Sequence, residues 1–321
     1  MTKCKWTEMV TKLKEDRLAA VAFPISNELT ETICSKLGSN IKDTVGAVGN
    51  SNGKPTTTFG TKVLITSGGV LNSREITNIL TTEIIDIGNS SFECSKVRKF
   101  PKPLWWANGG WVGGKPMVCG GSDDYLGLTF QKSCHTLEGN GTWKEDKKAT
   151  LSRGKQNQIS GSVVIKNQLY IPEYVGIGKK DKYGMYTKAY LNFEMAAPNT
   201  ASKTLQSLNS WGIFEDIYSN QHSCIVKWDA NTIMLIGANS QKRETYFINM
   251  EYKTVTPGPK LRQGRMHHAC NELTLNGETF IVVTGGGSSS GYLKSTEMLA
   301  KSIHSYWYGK GWRRGQKLHI T

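Results

Sequence analysis

A short unit recurs along this chain: about four apolar residues that end in glycine. The clearest copies are "KVLITSGG" (62–69), "KPMVCGG" (115–121) and "FIVVTGGG" (280–287). "TIMLIGAN" (232–239) repeats the unit with one glycine replaced by Ala238, and "QLYIPEY" (168–174) is a weaker copy without the glycines. Taking Val63, Met117, Leu169, Ile233 and Ile281 as equivalent positions separates the units by 54, 52, 64 and 48 residues. A period in this range predicts stacked supersecondary units.

The glycine run after Val283 raises the alternative of a phosphate-binding loop. Such a loop needs its glycines to open a helix, with Lys and Ser or Thr at a fixed offset. Here Ser288, Ser289, Ser290 and Gly291 follow, and these residues are poor helix formers. A second strand-like run, 295–299, comes next. The glycines therefore indicate a turn at the end of a strand.

The segments before the glycine strands follow a pattern of their own. "NQISGSVVIKNQLY", "NQHSCIVKWDANTIMLI" and "MHHACNELTLNGETFIVV" each contain a strand-like run, a tight Asn, Gly or Asp turn, and a second run. Repeated hairpins with a period near 50 predict an all-β propeller of four-stranded blades. The 34 glycines suit many hairpins, and no apolar run is long enough to span a bilayer.

From about Thr61 onward the repeats resemble the kelch family of β-propellers, in which a hydrophobic strand leads into Gly-Gly and is followed by a spaced Trp and a basic residue. The resemblance implies about six four-stranded blades, five of which are visible. It also implies that the glycines allow blades to pack closely and that the Trp side chains fill the walls between blades. The residues matched to this motif are Gly68, Gly69, Gly120, Gly121, Gly285, Gly286, Trp143, Arg153 and Trp312.

Residues 1–60 form a separate segment before the propeller region 61–321. "CKWTEMVTKLKEDRL" predicts a short amphipathic helix, whereas "AAVAFPI" and "ELTETICSKL" look like strands. Two interpretations stay open. In the first, these strands supply much of a divergent sixth blade that closes the ring and removes exposed sheet edges. In the second, the sequence is a fragment that ends just before another blade.

The seven cysteines contain no CxxC pair, which argues against a zinc site. Cys119 and Cys134 lie on the two strands of one predicted hairpin, so a cross-strand disulfide is expected, with Cys94 as a competing partner. Cys224 and Cys270 occupy similar places in successive blades. The alternative is that all are reduced and packed as small hydrophobic residues.

Two sequons, Asn89-Ser-Ser91 and Asn140-Gly-Thr142, fall in predicted loops. Together with the cysteines they favour a secreted glycoprotein, although the sequence as given shows no convincing signal peptide; a cytoplasmic protein is the alternative.

The chain is strongly basic, with a formal net charge of +14. An excess of cationic side chains favours an acidic protein surface or an anionic glycan as partner. Two clusters are candidate contacts: Lys179, Lys180 and Lys182 in a Tyr- and Gly-rich stretch, and Arg313 and Arg314 beside Trp312. No nucleic-acid motif is present. We expect a monomeric propeller that binds through its loop faces, without a cofactor and without catalysis.

The alternative is an enzyme, because some propellers of this type are copper-radical oxidases. In oxidases of that type, the resemblance implies a site of two histidines and two tyrosines, with one tyrosine cross-linked to a cysteine. The candidate residues are His222, His267, His268, Tyr170, Tyr174 and Cys119. No spacing connects them, and adjacent His267 and His268 are expected to point in opposite directions on a strand.

Overall fold

The structure is a computed structural model with a nearly all-β architecture and one short helix. It describes residues 21–34, 59–71, 76–86, 92, 94, 97–124, 129–152, 161–180, 186–205, 223–237, 243–275, 277–288, 291–301 and 309–315. Within these residues the strands form five antiparallel sheets and two small two-stranded hairpins.

The first sheet has three described strands in the order β1-β2-β5. They are β1 (Val21–Ser26), β2 (Phe59–Thr66) and β5 (Thr82–Asp86). A small hairpin of β3 (Gly69–Leu71) and β4 (Ile76–Asn78) lies between the second and third strands. The helix α1 (Asn27–Cys34) directly follows β1.

The other four sheets each have four strands that pair in chain order. The second sheet contains β6 (Asn108–Val112), β7 (Lys115–Cys119), β8 (Cys134–Leu137) and β9 (Trp143–Glu145). The third contains β10 (Val163–Ile165), β11 (Gln168–Lys180), β12 (Tyr186–Ala197) and β13 (Thr200–Thr204). The fourth contains β14 (Cys224–Lys227), β15 (Thr232–Ile236), β16 (Thr245–Asn249) and β17 (Thr254–Pro257). The fifth contains β18 (Ala269–Leu275), β19 (Glu278–Thr284), β22 (Thr296–Ala300) and β23 (Arg313–Arg314), with the hairpin β20 (Gly287–Ser288) and β21 (Gly291–Tyr292) between its second and third strands.

The five sheets are the blades of a β-propeller, so the predicted fold class is confirmed. The first strands of successive blades lie beside one another, from β1 to β6, β10, β14 and β18. The five positions used to define the repeat all lie on the second strand of their blade. The middle of each of these strands is apolar. In blade 2 this strand is covered on both sides by neighbouring blades, because Met117 packs in a buried cluster with the third blade and Val118 in one with the first.

The N-terminal segment contributes to the first blade. β1 comes from residues 1–60 and pairs with β2, with Val21 opposite Thr66. A sixth sheet, which the family resemblance implied, is not among the described residues. The predicted helix over 4–18 also lies outside them.

One local prediction was wrong: "ELTETIC" is helical rather than strand-like. Ser26 caps α1, because its hydroxyl accepts a hydrogen bond from the backbone N–H of Leu29 at 3.2 Å. Thr30 and Ile33 are the buried residues of the helix. Their spacing of three residues is that of one helical face. Among the described residues, no helix has the length and apolar character needed to cross a membrane.

Three disulfides join six of the cysteines, so the reduced alternative does not hold for them. The predicted pair Cys119–Cys134 connects directly opposite residues of β7 and β8, with a Cα separation of 4.1 Å. Cys94 pairs with Cys34 at the end of α1. Cys224–Cys270 joins the first strands of blades 4 and 5. Cys4 lies outside the described residues.

Candidate functional site

The up-and-down order of strands places two kinds of connection at the same end of every blade. They are the connection from the second strand to the third and the segment that enters the first strand. We call the surface formed by these connections the loop face. Its described parts include 67–81, 100–107, 120–133, 237–244, 258–268 and 285–295, together with the far end of the β11–β12 hairpin. The opposite end, with the turns between first and second and between third and fourth strands, is the turn face.

Several connections of the loop face are extended rather than tight. Blades 1 and 5 add the hairpins β3–β4 and β20–β21. In blade 3 the pairing of β11 with β12 continues to Lys180 opposite Tyr186, well beyond the residues that pair with β10. The Tyr- and Gly-rich stretch that contains Lys179 and Lys180 therefore belongs to a protruding hairpin.

The glycine turns hold each connection against the entering segment of its own blade. Gly121 has φ +88°, and a Cβ there would lie 2.9 Å from the carbonyl oxygen of Trp105. Gly286 has φ +86°, and a Cβ there would lie 2.5 Å from the carbonyl oxygen of Met266. Both positions need glycine, because the left-handed backbone and the close approach each disfavour a side chain.

In blade 1 the turn starts one residue earlier than the sequence match placed it. The two residues with positive φ are Ser67 (+58°) and Gly68 (+91°), which correspond to Gly120 and Gly121 in blade 2. Gly69 has a different role, because a Cβ there would lie 2.0 Å from the ring of Trp105. The Trp105 indole N–H donates to Asn78 Oδ1 at 2.8 Å, so this ring closes the gap between blades 1 and 2.

A buried ion pair fastens the loop-face end of blade 5. Arg265 has no exposed side-chain surface, and its guanidinium donates to Glu297 Oε1 at 2.8 Å. The same group donates to the carbonyl oxygens of Gly285 and Ser295 at 2.9 and 3.2 Å. Glu297 in turn accepts the backbone N–H groups of Arg262 and Gln263 at 2.6 and 3.1 Å. The pair thus joins the entering segment to the second and third strands.

A glutamate recurs at this place on the third strand, and the sequence pattern alone did not reveal it. Glu83, Glu194 and Glu297 lie opposite Ile65, Ile171 and Val283 of the second strands, and all three are buried. Glu194 accepts the backbone N–H of Ser152 at 2.5 Å, as Glu297 accepts that of Arg262. The available signal was a Glu followed by two apolar residues in "TEII", "FEMA" and "TEML".

The two tryptophans matched to the repeat lie in the walls between blades. Trp143 donates its indole N–H to Thr82 Oγ1 of blade 1 at 2.9 Å and packs edge-on against Phe100. Trp312 is buried and donates to the carbonyl oxygen of Pro259 at 2.8 Å, between blades 4 and 5. Arg153 lies outside the described residues.

The adjacent histidines of the fifth blade differ in their surroundings. His268 is buried, and its Nε2 lies 3.1 Å from the carbonyl oxygen of Ile236 in blade 4. Burial, with a smaller contribution from the Arg265 charge, lowers the pKa of His268 to about 3. His267 is exposed, with φ +53°. The buried imidazole is therefore neutral at physiological pH and joins two blades.

The exposed side chains of the loop face combine aromatic and cationic groups. Tyr292 in β21 is 96% exposed, and Phe130 in the β7–β8 connection is 45% exposed. An exposed lysine follows each of them by two residues, Lys294 and Lys132.

Carboxylates in the same connections are bound internally. Asp124 accepts the backbone N–H of Thr129 at 2.9 Å, and Asp123 accepts the side-chain amide of Gln131 at 3.0 Å. Glu244 accepts the backbone N–H of Arg243 at 2.9 Å, while the Arg243 side chain is exposed. Among the described side chains of these connections, every exposed charged one is a lysine or an arginine, so this part of the face offers a cationic surface to a partner.

The two predicted basic clusters belong to blades that are not neighbours. Lys179 and Lys180 end β11 at the far end of the protruding hairpin, and Lys182 lies outside the described residues. Arg313 and Arg314 form β23. In the pairing of β22 with β23, Arg314 lies opposite Glu297, near the loop-face end of the blade. Arg314 is exposed, whereas Arg313 lies over the Phe280 ring at 5.8 Å.

The residues considered for an oxidase site have other roles or lie outside the described residues. The Cys119 sulfur is bonded to Cys134, so it is not free for a cross-link to tyrosine. Tyr170 is buried against Phe193, and burial raises the pKa of its hydroxyl. His222 and the Tyr174 side chain are not described. Within the described part of the chain, no group of three or more His, Cys, Asp or Glu side chains has metal-site geometry.

This chain is similar to known proteins in its fold but has no match in sequence. No protein-family model matches the chain, and no curated protein matches it in sequence. Among solved structures, one titled "Structure of YjhT" is similar with a TM-score of 0.56 and 11% sequence identity. The alignment covers 81% of this chain and 82% of that one. At this identity the likeness shows a shared fold and nothing about activity.

Proposed function

We propose that this protein is a non-catalytic kelch-type propeller that binds a macromolecular partner, a protein or an anionic glycan, through its loop face. The kelch assignment is supported by the glycine turns at Gly120–Gly121 and Gly285–Gly286 and by indole side chains between blades. Rigid strands that hold long connections at one end are a common platform for recognition.

The observation that carries the proposal is the pairing of exposed aromatic and cationic side chains on two separate loop-face connections. Phe130 with Lys132 and Tyr292 with Lys294 repeat the same combination on blades 2 and 5. Aromatic residues are enriched at interfaces because one side chain offers a large rigid area. Exposed lysines and bound carboxylates favour a partner of negative charge.

The first test is capture by the immobilised full chain, with mass spectrometry of what binds and a heparin column as the probe for anionic glycans. We expect retention that weakens with salt, because the Debye length falls from about 10 Å at 0.1 M to about 3 Å at 1 M. Retention that is unchanged between these salt concentrations would reject the charged-face version.

The chain offers a matched control for the residues involved. Tyr292→Ala with Lys294→Ser removes the aromatic and cationic pair from the loop face of blade 5. Tyr252→Ala with Lys253→Ser removes a similar pair from the turn between β16 and β17, on the turn face, where Tyr252 is 75% exposed. We expect the first double variant to weaken capture and the second to leave it unchanged.

The basic clusters are tested in the same assay. Arg314→Ser changes an exposed side chain, whereas Arg313→Ser also removes a contact with Phe280 and is therefore less informative. Replacing Lys179, Lys180 and Lys182 by Ser tests the hairpin of blade 3. The contact lies away from the loop face if all three variants capture the partner as well as the unaltered chain does. These are the two cluster variants and Tyr292→Ala/Lys294→Ser.

A further inference from the structure

The sequon Asn140-Gly141-Thr142 forms the turn between β8 and β9. The backbone N–H of Gly141 donates to the carbonyl oxygen of Glu138 at 2.9 Å, and that of Glu138 donates to the carbonyl oxygen of Thr142 at 2.9 Å. Gly141 has φ +78°, which suits this tight turn. Asn140 is exposed at the tip.

The Asn140 side chain is hydrogen-bonded to Thr142, the third residue of the sequon. Its Oδ1 accepts the hydroxyl of Thr142 at 2.5 Å and the backbone N–H of Thr142 at 3.1 Å. These two bonds direct the carbonyl side of the amide toward Thr142. The Nδ2 atom is on the other side of the planar amide, and none of the hydrogen bonds found among the described residues uses it.

The turn is fixed to the body of the protein on its inner side. Arg98 donates its backbone N–H to the carbonyl oxygen of Gly141 at 2.8 Å, and Lys115 pairs with Glu138 at 2.6 Å. Gly141 is buried beneath the exposed Asn140. A large group on Nδ2 would extend into solvent without displacing either contact.

The disulfides point to the compartment in which a sequon is modified. Three pairs join six cysteines across the first, second, fourth and fifth blades, and a framework of this kind forms in oxidising environments such as the secretory pathway. Asparagine in an accessible N-x-Ser/Thr sequence is glycosylated there.

We propose that Asn140 carries an N-linked glycan, which extends from the turn face of blade 2. In this step Nδ2 attacks the anomeric carbon of a lipid-linked glycosyl diphosphate. A C–N bond forms, the bond from the anomeric carbon to the diphosphate oxygen breaks, and the lipid diphosphate leaves with the electron pair. Nδ2 gives up one proton to a base. Because Asn140 lies at the opposite end of the blade from Phe130 and Lys132, the glycan leaves the loop face uncovered.

The test is peptide mapping of the full chain directed into the secretory pathway of a eukaryotic host, with Asn89→Gln in every variant to remove the other sequon. Enzymatic deglycosylation converts a glycosylated Asn to Asp, and performing it in ¹⁸O-labelled water marks the new carboxylate. An undigested sample separates this signal from spontaneous deamidation of the Asn-Gly pair. We expect the label at residue 140 in most secreted molecules.

Three variants separate the modification from a folding defect. Asn140→Asp keeps an oxygen that accepts the Thr142 bonds but cannot be glycosylated, and Thr142→Ala destroys the sequon. Thr142→Ser keeps it. We expect loss of the glycan in the first two and retention in the third, with all three secreted and their disulfides formed. An unmodified Asn140 in secreted, disulfide-bonded protein overturns the proposal, as does a glycan found only on molecules whose disulfides have not formed.

Discussion

The wall between blades 1 and 2 and the wall between blades 4 and 5 share a backbone arrangement but contain different side chains. The entering segment presents Leu104 in the first wall and Arg265 in the second. Opposite the equivalent second-strand residues Val118 and Val283, the third strand presents His135 and Glu297. The wall between blades 1 and 2 therefore has an apolar side chain and a neutral imidazole at the two positions that the ion pair occupies in the wall between blades 4 and 5.

The difference shows which part of the blade interface the fold requires. Both walls keep a glycine turn against the entering segment and a tryptophan whose indole N–H donates a hydrogen bond. Trp143 takes this role between blades 1 and 2, and Trp312 takes it between blades 4 and 5. The remaining space accepts apolar or charged groups, provided that the buried charge has a partner.

The largest effect is expected from breaking the ion pair in the wall between blades 4 and 5. Glu297→Gln leaves the Arg265 charge buried without a counter-charge, so we expect a loss of about 3–5 kcal/mol in the free energy of unfolding. Chemical denaturation measures it. Glu244→Gln, at the partly exposed pair with Lys260, should cost less than about 1 kcal/mol. If Arg265→Leu with Glu297→His, which copies the other wall, is as unstable as Glu297→Gln alone, the two walls are not interchangeable.

Loss of the disulfide across the same wall should have the next largest effect on stability. Removing Cys224–Cys270 by replacing both cysteines with Ala should cost about 2–4 kcal/mol. Removing Cys119–Cys134 should cost about 1 kcal/mol less on the chain-entropy argument, because it spans 15 residues rather than 46. Denaturation of each variant measures the difference, and intact mass after alkylation without reductant should show at most one labelled cysteine in the unaltered chain. An equal cost for both pairs would contradict the entropic argument.

The histidine in the wall between blades 1 and 2 makes stability depend on pH. Burial, with a smaller contribution from the Lys102 charge, lowers the pKa of His135 to about 4 from 6.5. The unfolded chain therefore binds more protons than the folded chain between these values, and stability falls as pH falls from 7 to 4. At about 1.4 kcal/mol per pKa unit, the loss from this residue is about 2–3 kcal/mol. His135→Gln should reduce the measured dependence over this range by that amount, while the buried His268, whose pKa is lowered to about 3, still contributes; an unchanged slope would show that His135 does not contribute.

The smallest effect tests whether the backbone arrangement is shared. Gly121→Ala and Gly286→Ala should each cost about 2 kcal/mol, because both combine positive φ with a close carbonyl oxygen. Gly114→Ala has φ +83° but nothing within 4 Å of the added Cβ, so it should cost about 1 kcal/mol. Thermal unfolding measures all three. A large difference between Gly121 and Gly286 would mean that the two entering segments are not equivalent.

The sequence predicted those parts of the fold that rest on local pattern. Second strands are apolar in their middle residues, where other blades or strands pack on them, so the units at Val63 and Ile281 could be recognised without the structure. Cys119 and Cys134 could be paired because a hairpin fixes which residues are opposite. The helix over 27–34 was missed because its capping residue, Ser26, is also the last residue of the strand β1.

The candidate site was predicted less well, because it depends on residues far apart in the chain. Nothing in the local sequence distinguishes Arg265 from an ordinary surface cation, yet Glu297, 32 residues later, makes it part of a buried wall. The exposed positions of Phe130 and Tyr292 also could not be inferred, since both occur in sequences that could equally have packed inside.

What the sequence determined by itself is the repeat: strand, glycine turn and return strand, whose spacing follows from the length of a blade. Only the tertiary structure decided which polar groups are buried and which face solvent. Burial of a charge depends on a partner brought from another strand, and exposure of an aromatic ring depends on the absence of a neighbouring blade over it. Neither condition is local, so the wall of Arg265 and Glu297 and the loop face of Tyr292 and Lys294 appear only when the blades are assembled.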